Sequence, residues 1–417
     1  MVALAVASAA LLLLLVATVY GRSWYRPLAL VAFGGHLLVS LVLLPRLPYT
    51  WDIVGFHRAA LELAAGAPVT ASKTVSSFAA FQGLLYTVFG AQPATLSVFN
   101  GLLAVLVPLP VAYLADSLYP STEETLAVGL AALFLPLPFL FLSIPMRDTL
   151  AVLLALSLLA VVVRALRRGS PMWGLPALPL WGMLYMLRAE LSLIVVLGVL
   201  TVGTVSGIER LSPSLSAVQF TAILGTVGAV GFALFAELLY PFQVVNAQLR
   251  GRARGGAVYL DGMSYSSWTD FLVAAPARGI YFQFAPFPLH VESVFHLLAF
   301  GGTLVAMVLL VSGARSLAVR EYDERVAVLL GVVYIAGVVG YGTINSNFGT
   351  NVRHRMVFDF LLVVFAAPVL HRWWLRLRAW VGVAPGQGGD GREKQREAQE
   401  LHGGVHRGRQ NANEANR

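Results

Sequence analysis

Long apolar runs recur along the chain and show little alternation of polar and apolar positions. They cover roughly residues 3–20, 27–45, 95–116, 125–143, 148–166, 172–187, 189–206, 215–238, 291–312, 326–343 and 356–371. Most approach the roughly 20 residues that cross a hydrocarbon core as an α-helix. The pattern predicts an all-α, polytopic transmembrane helix bundle of about 11 spans. A β-barrel would need short alternating segments, which these runs do not provide. The run at 172–187 is short and carries Pro176 and Pro179, which count against it as a span.

Three polar regions interrupt the pattern. Residues 46–94 hold "WDIVGFHRAALELAAG" and "SSFAAFQGLLYTVFG", which read as amphipathic helices lying at an interface. Residues 239–290 form a longer outer loop rich in arginine and aromatic side chains. Residues 382–417 have no apolar period and read as disordered. The chain therefore divides into an extra N-terminal helix and short loop (1–26), a transmembrane domain (27–375) and a basic tail (376–417).

Composition sharpens this picture. The chain is 58% hydrophobic and only 12% charged, against about a quarter charged in soluble domains. It has no cysteine, so disulfides, thiol catalysis and cysteine-ligated metals are excluded. The net charge of +8 is carried almost entirely by arginine, lysine occurring only at Lys73 and Lys394. Such a balance suits anionic lipid surfaces and phosphate-bearing ligands. The first run has the length of a full span and lacks a positive leader, so it reads as a helix rather than a cleavable signal.

Arginines beside short loops set orientation. With 11 spans, Arg22, Arg26, Arg164, Arg167, Arg168, Arg315, Arg320, Arg325, Arg372, Arg376 and Arg378 share one side. That side is expected to be cytoplasmic, in the cell membrane, together with the tail. The outer side still carries Arg147, Arg188, Arg250, Arg252, Arg254, Arg353 and Arg355. These outer arginines need a purpose other than topology.

The polar residues on that side are the candidates for chemistry. Asp52 stands where it would cap the helix "IVGFHRAALELAA", and equally where a general base or metal ligand would meet the membrane face, with His57 and Arg58 following. Arg147 and Asp148 lie side by side between two apolar runs. They read as a snorkelling arginine and a capping aspartate, or as a phosphate grip beside a carboxylate that orients an acceptor or a metal. Arg188 and Glu190 form another charged island, either a tight turn or part of the same site. "NSNFGTNVRHRMVFDF" is the densest constellation, with Arg353 and Arg355 suited to an anionic head group and Asp359 one turn beyond Arg355. His290, Glu292 and His296 are too loosely spaced for a zinc site, and no metal ligand is assigned.

The order of these features resembles the GT-C superfamily of integral-membrane glycosyltransferases, nearest the protein O-mannosyltransferase and aminoarabinose-transferase branch. The resemblance rests on "WDIVGFHRAALELAAG", "SSFAAFQGLLYTVFG", "LFLPLPFLFLSIPMRDTLAVLLALSLLA" and "LRAELSLIVVLGVL", spanning about residues 27–206, with "GTNVRHR" beyond. It implies a cell-envelope enzyme that moves a sugar from a polyprenyl-phosphate donor to a lipid, glycan or protein acceptor; nucleic acid is not an implied partner. Asp52 would be the catalytic acidic residue of the first outer loop and Asp148 that of the second. His57, Arg147, Arg188, Glu190, Arg353 and Arg355 would bind substrate. The family's first loop often has two adjacent acidic residues, whereas Asp52 stands alone beside Trp51 and Ile53, which leaves use of a divalent metal open. A polysaccharide polymerase of the Wzy or EpsG kind, acting on lipid-pyrophosphate-linked glycans, is the alternative reading. A transporter or flippase is less consistent with charges gathered at one face instead of mid-plane.

Overall fold

Proline and glycine decide where the apolar runs become separate helices. The computed structural model describes residues 1–46, 52–67, 73–120, 125–209, 216–239, 242–253, 257–260 and 262–381. Among them the chain is helical throughout, with no strand and one isolated bridge, Val258 to Asn347.

The first helix, α1 (Val2–Tyr20), stops at Gly21, whose φ of 71° is a left-handed cap that glycine adopts without strain. α2 (Tyr25–Leu37) runs on through a π turn and a 3-10 turn to Arg46. Ala5, Ala9, Leu13 and Ala17 make a buried stripe on α1, packed with Ala29, Ala32 and Val98. Small residues at this spacing let helix backbones approach closely in lipid.

The first polar region contains two helices that pack on each other, α3 (Ile53–Ala64) and α4 (Lys73–Phe89). α5 (Pro93–Leu106) and α6 (Pro108–Leu118) together form one span, each beginning on a proline at its first turn. The run expected as a span at 125–143 is instead two short helices, α7 (Thr125–Phe134) and α8 (Pro136–Leu142). Pro136 forces Leu135 out of helical geometry, to ψ 114°, so neither helix is long enough to cross.

α9 (Asp148–Arg168) is the central span, with Asp148 favourably placed in its first turn and Arg167 and Arg168 in its last. The 172–187 run gives a 3-10 turn and α10 (Ala177–Leu187), only 11 residues long. Next come α11 (Ala189–Glu209) and α12 (Ala217–Leu239). The long loop expected at 239–290 also contains helices, α13 (Phe242–Arg252) and α14 (Trp268–Phe284). The remaining elements are α15 (Val294–Val319), α16 (Glu324–Ile344), α17 (Phe348–His354), α18 (Met356–Phe365) and α19 (Ala367–Trp380).

Among the described residues, seven helices are long and apolar enough to cross a membrane, or eight if Met356–Phe365 and Ala367–Trp380 form one broken span. The chain is thus a multi-pass helical membrane protein. Every residue of α18 is buried, its apolar side chains and Asp359 alike. α15 exposes Leu297, Leu298, Val308 and Val311, the mark of a lipid-facing helix. The tail expected to be disordered lies outside the described residues beyond 381.

α9 and α11 begin, and α16 ends, at the same end of the bundle. At the opposite end Asp323 N–H donates to the Leu118 carbonyl at 2.9 Å, and Ala217 N–H donates to Glu324 Oε2 at 3.1 Å. The charged residues of "IPMRD", "LRAE" and "NVRHR" therefore gather at one end.

Candidate functional site

The segment that carries Arg353 is fixed by buried polar anchors. α16 ends at Asn345, and α17 starts anew with Asn347 as its cap, its side chain accepting from Thr350 N–H at 3.1 Å. The break leaves backbone carbonyls buried, and Arg278 on α14 satisfies them. Its Nε donates to Gly342 O at 3.0 Å and its Nη2 to Asn345 O at 2.8 Å and Ser346 Oγ at 3.0 Å. Tyr259 donates through Oη to Asn345 O at 2.9 Å and accepts from Asn351 Nδ2 at 2.7 Å. Gly342 admits this arrangement, because a Cβ there would sit 2.5 Å from the Arg278 carbonyl oxygen. None of the sequence motifs pointed to Arg278 or Tyr259.

Arg353 then joins two carboxylates. Its Nη1 donates to Asp52 Oδ2 at 3.1 Å, and its Nε and Nη2 donate to Asp148 Oδ2 at 3.0 and 2.9 Å. Asp148 also accepts from Arg188 Nη2 at Oδ1. Arg188 lies in the non-helical link between α10 and α11, φ −149° and ψ 78°, and this break directs it inward. Its Nη1 donates to His354 Nε2. Arginine only donates, so His354 accepts there and its proton sits on Nδ1.

Asp52 begins α3 but makes no side-chain cap bond. Its carboxylate turns to Arg353 and stays 65% exposed, whereas Asp148 is 3% exposed. Two carboxylates some hundred residues apart in sequence thus meet on one guanidinium.

Arg147 is the unsatisfied member. Its Nε and Nη1 are buried without a hydrogen-bond partner, and its guanidinium lies 5.8 Å from the centre of the Phe56 ring. Burial, with Arg188 adding to it, pushes Arg147 down to about 10. It stays charged at neutral pH, but at a cost that a bound anion would relieve. Arg353 is pulled down by burial, and Asp148 and Asp52 more than reverse this, raising it above the usual arginine value. His354 is held well below 6.5 by burial and then by Arg188 and Arg353. Three guanidiniums thus face two carboxylates beside a neutral imidazole.

The other predicted residues direct their bonds elsewhere. Glu190 pairs with Arg252 at 3.3 Å, a half-exposed contact. His57 is bonded to Tyr86 Oη at 2.8 Å, which in turn accepts from Gln82 Nε2 at 2.6 Å. Its bonding therefore goes to α4. Arg355 is fully buried and fixes the α14–α15 connection. Its Nη1 donates to Gln283 O at 2.8 Å and Ala285 O at 3.0 Å, and it pairs with Asp359 at 3.7 Å, the expected i,i+4 partner. Arg355 is spoken for as a structural anchor, and Arg353 faces the cluster in its place. Among the described residues no three His, Asp or Glu side chains converge as a metal site.

Comparison with known protein families, curated proteins and solved structures finds no match to this chain.

Proposed function

We propose that this chain is a membrane glycosyltransferase that takes a sugar from a polyprenyl-phosphate donor, acting at the outer face of the cell membrane with its tail cytoplasmic. The observation that carries the reading is Arg147, a buried cation with two unpartnered nitrogens beside a pair of carboxylates. Guanidinium N–H groups suit phosphate oxygens, and a desolvated one binds an anion strongly.

The two carboxylates take different roles. Asp148 is occupied by two guanidiniums and holds Arg188 and Arg353 in place. Asp52 is exposed and held at one oxygen, which suits a base. In the transfer, an acceptor hydroxyl oxygen attacks the anomeric carbon and gives its proton to Asp52. The bond from the anomeric carbon to the phosphate oxygen breaks, and its electron pair leaves on the phosphate beside Arg147.

The test incubates purified protein with isotope-labelled polyprenyl-phosphate sugars and a membrane lipid extract, and identifies the product by mass spectrometry. Label in a new glycosidic product, with release of polyprenyl phosphate, is expected. Flux across liposomes without a covalent product would replace the reading with transport. Long chains made only from pyrophosphate-linked glycans would replace it with polymerisation.

A further inference from the structure

Next to the charged cluster lies a cavity of about 520 Å³, a size that holds a small ligand. Leu137 and Phe141 of α8 form one wall, and Phe295, Leu298 and Ala299 of α15 form another. Leu298 is half exposed on the lipid-facing side of α15, so the apolar part is open toward the bilayer. The polar end is built from Glu292, Ser293, Asn347, Thr350 and Arg353.

Arg353 is the single cation among the lining residues, and all three of its nitrogens already donate to Asp148 and Asp52. Glu292 adds an exposed carboxylate. His296 accepts the Glu292 N–H at Nδ1, at 3.3 Å, so that nitrogen carries no proton. The polar end therefore offers hydroxyl, amide, imidazole and carboxylate groups with no uncommitted guanidinium. Arg147, which has the unpartnered donors, does not line the cavity.

We infer that this cavity binds the acceptor, and that the acceptor is an amphiphile with an aliphatic chain and an uncharged, hydroxyl-bearing head. The chain enters between α8 and α15 from the bilayer. The head stops at Arg353, the guanidinium that also holds Asp52, while the donor phosphate is bound at Arg147, outside the cavity lining. Charge separates the two ligands: an anionic head is repelled by Glu292 and finds no free guanidinium in the cavity. The assignment of the occupant as acceptor rests on the glycosyltransferase reading of the cluster.

Photolabelling of the full chain in lipid nanodiscs tests it without requiring sugar transfer. Two probes share one diazirine-bearing dodecyl chain, one ending in a neutral glucoside and the other in a phosphate. The neutral probe is expected to label 137–141 and 295–299 saturably, at least tenfold better than the phosphate probe. Ala299→Phe fills the cavity and should cut this labelling at least tenfold. Leu298→Trp, at a half-exposed position, does the same from the bilayer side should Ala299→Phe fail to fold. Labelling that does not saturate or that spreads equally over the lipid-facing α1 overturns the site, and equal or better labelling by the phosphate probe overturns the head-group assignment. Failure of sugar transfer with the labelling pattern intact counts against the transferase reading alone.

Discussion

Asp148→Asn isolates what holds the charged cluster together. The substitution keeps the shape of the side chain and removes its charge. Arg188 and Arg353 then lose a carboxylate that accepts from the first at one oxygen and from the second twice at the other. Asp148 is 3% exposed, and the side chains of Arg188 and Arg353 are 8% and 13% exposed, so water replaces little of the lost interaction. Removing one partner of a buried ion pair costs about 3–5 kcal/mol, because the remaining charge stays buried. Here two cations are stranded beside a third, Arg147, so the loss belongs at the upper end of that range. By contrast, Asp52→Asn breaks one mostly exposed contact, worth about 0–1 kcal/mol. The assay is unfolding of the purified variants in mixed micelles by denaturing-detergent titration, with Arg188→Met and the double variant completing a cycle. A coupling energy above about 1 kcal/mol between positions 148 and 188 is expected, as for residues in one salt-bridge network. An Asp148→Asn variant as stable as the parent would refute the account of the cluster as a buried, mutually dependent set.

Further predictions follow from neighbouring residues. Arg147→Gln removes an unpaired buried charge, so stability should hold, while affinity for a polyprenyl phosphate drops by about 1.5–3 kcal/mol, roughly ten- to a hundredfold, as measured by calorimetry. Gly342→Ala places a methyl against the Arg278 carbonyl and should destabilise the fold by about 1–3 kcal/mol in the same unfolding assay. His354 is held neutral in the folded protein, well below its ordinary value of 6.5. The unfolded chain therefore takes up a proton that the folded chain refuses, and stability should fall as pH drops below about 6.5. Unfolding titrations at a series of pH values check this, and His354→Gln should flatten that part of the profile.

The apolar runs disclosed the class of fold because membrane helices must satisfy their own backbone and show apolar faces to lipid. Among the described residues, local backbone chemistry breaks two of the expected spans. Pro136 split one run, and Pro176 with the Ala177 start left another at 11 residues. The candidate site was legible through its charges: Asp52, Arg147, Asp148, Arg188 and Arg353 were visible as costly residues between apolar runs, and four of them are joined by ion pairs. Arg353 and Arg355 could not be told apart in sequence, because two residues along a helix is about 200° of rotation and only packing decides which face meets the site. Arg278 and Tyr259 stayed hidden because the backbone break they repair exists only once α16 and α17 separate. His354 was visible only as one member of a dense polar stretch. Its acceptor role toward Arg188 depends on a contact 166 residues away.

The most direct test of the central claim compares sugar transfer by the parent and Asp52→Asn proteins, both verified as folded, using the same labelled polyprenyl-phosphate sugar. The account predicts product from the parent and at least a hundredfold less from Asp52→Asn, with unfolding stability changed by no more than about 1 kcal/mol. Equal transfer by the two proteins would contradict it and leave Asp52 as no more than a surface partner of Arg353.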